Sequence, residues 1–138
     1  MRVAIDTSAL IKRYVAIQGD EELAALLADA TSLHIAPHCR VEMYSAFNRL
    51  RLTKQMSAAA CRAALAEFEL DLADFQVTPW SVEIEDTAIK ILPNSNLRAM
   101  DALHVAAALA VGAEQFITSD ERQAQAAKRA KLVTTYVK

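Results

Sequence analysis

Four carboxylates, Asp6, Glu42, Asp101 and Asp120, stand in contexts that suit cation chemistry better than ordinary surface duty. Asp6 closes Val3-Ala4-Ile5, a short apolar run of the kind that fills the middle of a parallel sheet. Asp120 follows Gln115-Phe116-Ile117-Thr118, which reads as another strand. Ligands in open α/β sheets bind just outside the carboxyl ends of strands, so the two acids fall at one edge of the domain. Asp101 enters a segment, about Leu97 to Val111, that is apolar nearly all round and therefore buried, where an uncompensated carboxylate is costly. Glu42 lies in the first turns of a helix that runs to about Leu52. Three of the acids also have a plainer reading. Asp6 before Thr7-Ser8 makes a good helix N-cap, Asp101 can be a satisfied N-terminal acid partnered by Arg98, and Glu42 can be a solvated residue favoured by the helix dipole.

If the four converge, two carboxylates about 5 Å apart repel by roughly 3 kcal/mol at an effective dielectric near 20, and a cation is needed to keep several ionised. Oxygen-only ligands select a hard ion, Mg2+ or Mn2+, whereas zinc would bring His or Cys into contact. His38 and Cys39 are adjacent, so their side chains diverge on a helix and chelate poorly. His104, one turn after Asp101, can face the same site or be a packed, hydrogen-bonded core histidine. Thr118 and Ser119 suit capping the next helix or steadying Asp120, since no His-acid pair stands beside them to activate a nucleophile.

Positioning these groups takes strands alternating with helices. After Asp6, Ser8 to Val15 reads as helical, Gly19 interrupts, and Asp20 caps a helix through Leu27. Ser32 to Ala36 is a strand stopped by Pro37, and Val41, Tyr44, Ser45 and Asn48 then recur at helical spacing. Ser57 caps a helix whose Cys61, Leu65, Phe68 and Leu72 form one apolar stripe. Phe75-Gln76-Val77 is a strand, and Trp80-Ser81 opens a helix carrying Val82, Ala88, Ile89 and Leu92. Pro93 to Asn96 is a loop, Gly112 ends the buried helix, and Asp120 leads into a helix ending near Lys131. Leu132 to Thr135 reads as a last edge strand. The alternation predicts a three-layer α/β domain spanning residues 1–138, and no internal repeat interrupts it.

The length suits one core, and two glycines and three prolines leave little room for linkers. A formal charge of −2 gives no global field for nucleic acid, so RNA contact would need a local patch. Lys12 and Arg13, with Arg49, Arg51 and Lys54 at the end of the Glu42 helix, are candidates, although such residues also make ordinary solvated faces. Tyr14, Tyr44 and Trp80 can stack on bases or serve the core or a dimer surface. Cys39 and Cys61 form no C-x-x-C motif, Asp6 precedes any signal-peptide core, and no run reaches the ~20 apolar residues of a membrane helix. The expectation is a reduced, cytoplasmic protein.

D-T-S at Asp6 to Ser8, the lone helical Glu42, L-R-A-M-D-A-L-H-V-A-A-A from Leu97 and T-S-D at Thr118 to Asp120 occur in order. Over essentially the whole chain this pattern resembles the PIN-domain family, and most closely the VapC-type toxins of toxin–antitoxin pairs. The resemblance implies a PIN-like three-layer α/β/α sandwich around a mainly parallel sheet, with Asp6, Glu42, Asp101 and Asp120 holding one or two Mg2+ or Mn2+ ions. It further implies an endoribonuclease in which a water activated by the ion attacks a phosphodiester in line. Ser8 and Thr118 would orient the carboxylates rather than attack substrate. The family commonly forms homodimers and is masked by a cognate antitoxin that lays a helix or extended peptide near the acids. One departure is visible, because an acid common in the loop after the first helix is replaced here by Ile17 beside Gln18.

Other readings fit less well. A receiver domain needs an acid pair after the first strand, and a haloacid-dehalogenase-like phosphatase needs D-x-D, whereas Thr7 and Ser8 follow Asp6. A Rossmann domain needs a glycine-rich phosphate loop that Gly19 and Gly112 cannot supply. A non-toxin RNA-processing nuclease and a non-cleaving module that binds RNA or protein stay open as alternatives.

Overall fold

In the computed structural model, which describes residues 1–138, Arg2 and the apolar run Val3-Ala4-Ile5 form β1 (Arg2–Ile5). Its side chains alternate between two cores, as the period of a strand requires. Val3 and Ile5 enter one core and Ala4 the other. Burial on both faces explains why Val3-Ala4-Ile5 is apolar without interruption, whereas Arg2 at the strand's start is exposed.

The chain continues through α1 (Thr7–Leu10), α2 (Asp20–Leu27), β2 (Ser32–Ile35), α3 (Cys39–Leu52), α4 (Ala58–Asp71) and β3 (Gln76–Val77). It then forms α5 (Val82–Ile91), α6 (Ala99–Ala110), β4 (Gln115–Thr118), α7 (Glu121–Arg129) and β5 (Thr134–Tyr136). The strand order is β3-β2-β1-β4-β5, and every pairing is parallel. On one face Leu10, Leu23, Met43, Phe47 and Phe68 pack with Ile5, Ile35 and Ile117. On the other, Ile84, Ala88, Val105, Ala106 and Ala127 pack with Ala4 and Phe116. The result is the three-layer α/β/α sandwich that the alternation predicts.

The chain leaves β1 toward β2 and β3, then crosses back to place β4 on the other side of β1. This reversal makes a topological switch point between β1 and β4, where open α/β sheets bind their ligands. The Asp6 amide closes that junction by donating to the Ile117 carbonyl at 3.1 Å.

Element ends depart from expectation where local capping decides them. Gly19, at φ 94°, takes the cap position of α2, and Asp20 becomes its first residue. A side chain at Gly19 would meet the Lys138 carbonyl at 2.7 Å and Val137 at 2.8 Å. Pro93 pre-sets a short 3-10 turn, Leu92–Asn94, within the expected loop. The last strand begins at Thr134 rather than Leu132, because Lys131 adopts φ 68° and the Leu132 amide caps the end of α7 at the Ala127 carbonyl. On α5 the buried positions are Ile84 and Ala88, while Val82 and Ile89 face outward. Cys39 and Cys61 are free and buried, and burial pushes the Cys39 thiol up to about 12. No helix is long and apolar enough to cross a membrane.

Candidate active site

An open cavity of about 290 Å3 lies at the carboxyl edge of the sheet, lined by Ser8, Glu42, Arg49, Asp101, Asp120 and Gln123 among others. Three of the four candidate acids therefore share one cavity, contributed by α3, α6 and the end of β4.

Asp6 lies beneath them and does not line the cavity. It is 0% exposed, and both readings of its position hold, since it ends β1 and also caps α1. Its Oδ1 accepts from the Ala9 amide at 3.0 Å, Oδ2 accepts from Thr118 Oγ1 at 2.6 Å, and the Ser8 hydroxyl lies 2.8 Å from both. Burial raises its pKa, against the opposing pull of His104, Thr118, Ala9 and Ser8. Ser8 and Thr118 thus hold this carboxylate, and Ser8 Oγ also receives the Ser119 amide at 3.0 Å.

The lining acids share a pattern. Asp120 caps α7, its Oδ1 accepting from the amides of Arg122 at 2.8 Å and Gln123 at 3.2 Å. Asp101 Oδ1 accepts from Gln123 Nε2 at 3.1 Å, so its partner is Gln123 rather than Arg98. Glu42 Oε1 accepts from Thr7 Oγ1 at 2.7 Å and from His104 Nε2 at 2.5 Å. In each case the protein ties one oxygen and leaves the other without a protein partner.

Their electrostatics differ. Burial, then the charges of Asp120 and Glu42, raise Asp101 above the usual carboxylate range, although His104 opposes them. Burial pushes Glu42 the same way, but the His104 hydrogen bond and charge, with Thr7, outweigh it and hold Glu42 low.

His104 is packed and hydrogen-bonded, 3% exposed, and its partner is a candidate acid. The ligand-type atoms that fall within 4.8 Å of one another belong to His38, Glu42 and His104, not to the four acids. Cys39 stands apart from this set, its sulfur 3.4 Å from Thr7 Oγ1, whose one hydrogen goes to the nearer Glu42 oxygen. Thr7 and Gln123 were not singled out by sequence. Gln123 had a signal, because Asp120 followed three residues later by Gln is a capping-box spacing. The Gln123 amide reaches across to Asp101 instead, and its buried Oε1 has no partner.

Among the basic candidates, Arg49 lines the cavity. Lys12 and Arg13 border a separate groove of about 550 Å3, where Lys12 Nζ donates to the Gln18 carbonyl at 2.6 Å and Arg13 pairs with Asp71 at 3.2 Å. Arg51 donates to Asn48 Oδ1 at 2.7 Å, and Lys54, at φ 60°, turns the chain after α3. Tyr14 is buried and donates to Asp71, Tyr44 donates to Glu69, and half-exposed Trp80 lies 6.2 Å from the His38 ring.

The profile of the PIN domain matches residues 3–129. No curated protein sequence matches the chain. Among solved structures it is similar to VapBC2 from Rickettsia felis bound to a promoter DNA fragment, at 12% identity and TM-score 0.69 over 99% of this chain and 98% of that one. It is similar to the sarcin–ricin-loop-cleaving toxin VapC20 of Mycobacterium tuberculosis, at 18% identity and TM-score 0.67 over 95% and 96%. A toxin–antitoxin complex from Klebsiella pneumoniae matches at 18% identity and TM-score 0.61 over 88% of each chain. At these identities the likeness is one of fold.

Proposed function

Because the chain belongs to the PIN domain family, we propose that it is a Mg2+- or Mn2+-dependent endoribonuclease, the toxin of a VapC-type toxin–antitoxin pair. One observation carries this reading. Glu42, Asp101 and Asp120 line a single cavity, and each has one carboxylate oxygen tied to the protein and one left over for a ligand. The donor set fits a hard divalent ion, since it is all oxygen, and burial followed by the charges of Asp120 and Glu42 raises Asp101. When bound, such an ion supplies positive charge against the phosphodiester and lowers the cost of ionising water.

The untied oxygens, Glu42 Oε2, Asp101 Oδ2 and Asp120 Oδ2, would hold the ion. Asp6 would add charge from beneath, where Ser8 and Thr118 hold it in place. Arg49, the arginine in the cavity lining, would receive a phosphate of the RNA. Support for a partner antitoxin comes from the fold neighbour solved as a toxin–antitoxin complex, and support for cleavage from VapC20. One PIN domain over 1–138, a homodimer and a cytoplasmic setting complete the proposal.

The test is cleavage of total RNA by freshly purified, antitoxin-free protein with Mn2+, with Mg2+ and with chelator. Cleavage should need the ion, and Asp6→Asn or Asp101→Asn should each reduce it by about 100-fold or more, the size of loss seen when a charge-stabilising group is removed. Cleavage indifferent to chelator, or folded wild type that cuts nothing, would overturn the reading.

A further inference from the structure

Glu42 and Asp101 belong to opposite layers of the molecule. The buried residues of α3, which carries Glu42, pack in the core on one face of the sheet, and those of α6, which carries Asp101, pack in the core on the other. Two acids that are to share an ion must be held at a fixed separation across the sheet edge.

Two histidines span that gap. His38, at the N-terminus of α3, lies with its Nε2 2.9 Å from the Met100 carbonyl, in the residue just before Asp101. His104 of α6 places its Nε2 2.5 Å from Glu42 Oε1. A carbonyl and a carboxylate oxygen both accept, so each Nε2 carries the hydrogen and donates. Each helix therefore sends one histidine to the other. The rings lie with centroids 4.3 Å apart and are 7% and 3% exposed, which locks their orientation.

The same atoms also have the spacing of a site for a softer metal, since His38, Glu42 and His104 offer ligand atoms within 4.8 Å of one another. The second nitrogens decide against it. A metal-bound imidazole gives its other N–H to an acceptor, and neither His38 Nδ1 nor His104 Nδ1 has one. Both rings are committed to cross-linking the helices.

We propose that His38 and His104 form a reciprocal clamp across the sheet edge that sets the spacing of Glu42 and Asp101, making both histidines positioning residues for the cation. The inference rests on the cavity being the cation site proposed above. Its test is therefore direct Mn2+ binding, read by electron paramagnetic resonance of the free ion, alongside the Mn2+ concentration that half-activates cleavage. His38→Leu and His104→Leu fill the space and remove the donor, whereas His38→Gln and His104→Gln keep an amide donor.

The Leu variants should weaken Mn2+ binding by about 10-fold or more, as loss of a ligand-orienting partner does, and raise the half-activating concentration in step. The Gln variants should return to within about 3-fold of wild type, a recovery that packing alone would not produce. If a Leu variant fails to fold, His104→Asn, whose amide is too short to reach Glu42, takes its place and should bind like the Leu variants. Equal binding by wild type and Leu variants, or Gln variants as weak as Leu, overturns the clamp while leaving the cation site standing. Wild type that binds no Mn2+ overturns both.

Discussion

Asp101 and Glu42 sit in one cavity yet should respond to neutralisation in opposite directions. Asp101 is raised by burial and by Asp120 and Glu42. An acid whose pKa is higher folded than unfolded favours the native state while protonated, and that advantage is lost as pH rises through the folded value. In chelator at neutral pH, Asp101→Asn should therefore stabilise the protein by about 1 kcal/mol, a few degrees in Tm, in line with the stability cost of functional groups. The gain should vanish below the ordinary carboxylate range, where both forms are neutral. Glu42 is held low by His104 and Thr7 despite its burial, so its contribution is present above its ordinary pKa and disappears as pH falls. Glu42→Gln should cost about 1–2 kcal/mol at neutral pH, the worth of a charge-assisted hydrogen bond, and little in acid. Thermal melts of both variants at two pH values decide the signs. The acids were legible as candidates because a strand end or a buried helix makes a carboxylate conspicuous, while Asp6 and Asp120 serve also as helix caps. Thr7, Gln123 and the company of His104 were not, because they depend on which side chains meet across layers, and no local spacing encodes that.

At the scale of elements, hydrophobic period and caps dictate most of what forms. Ser57 Oγ accepts the Ala60 amide at 3.0 Å and starts α4, as the sequence predicts. Ser57→Ala should cost about 1 kcal/mol in urea unfolding, the usual worth of an N-cap, and leave RNA cleavage unchanged. Gly19→Ala should cost more, roughly 1–3 kcal/mol, because the left-handed φ and the close Lys138 carbonyl both oppose a side chain. An effect under ~0.5 kcal/mol in the same assay would show that the loop relaxes freely. Strands and helices were legible to within a few residues. The errors fell at ends such as Lys131-Leu132, where a left-handed residue and one capping amide outweigh the β-branched run that follows. The α5 helix starts at its Ser81 cap as expected, but its apolar content does not reveal which side faces the sheet.

The molecule as a whole carries a formal charge of −2, so RNA would be held by the cavity rather than gathered by a broad field. Affinity of inactive Asp101→Asn protein for single-stranded RNA should then fall gently with salt, with a log–log slope no steeper than about −2 at ~0.7 per phosphate contact. A much steeper slope would move the contact surface outward, toward Lys12 and Arg13. Sheet order has a further consequence, this time in the order of synthesis. Strand β1 is made well before its neighbour β4, and Asp6 meets Thr118 across 112 residues of chain. At roughly 5–20 residues per second, several seconds or more of synthesis separate Asp6 from Thr118. Until Thr118 and Asp120 emerge, the growing polypeptide has a central strand with one side open and no assembled cavity, so the site forms only after the two halves of the sheet meet.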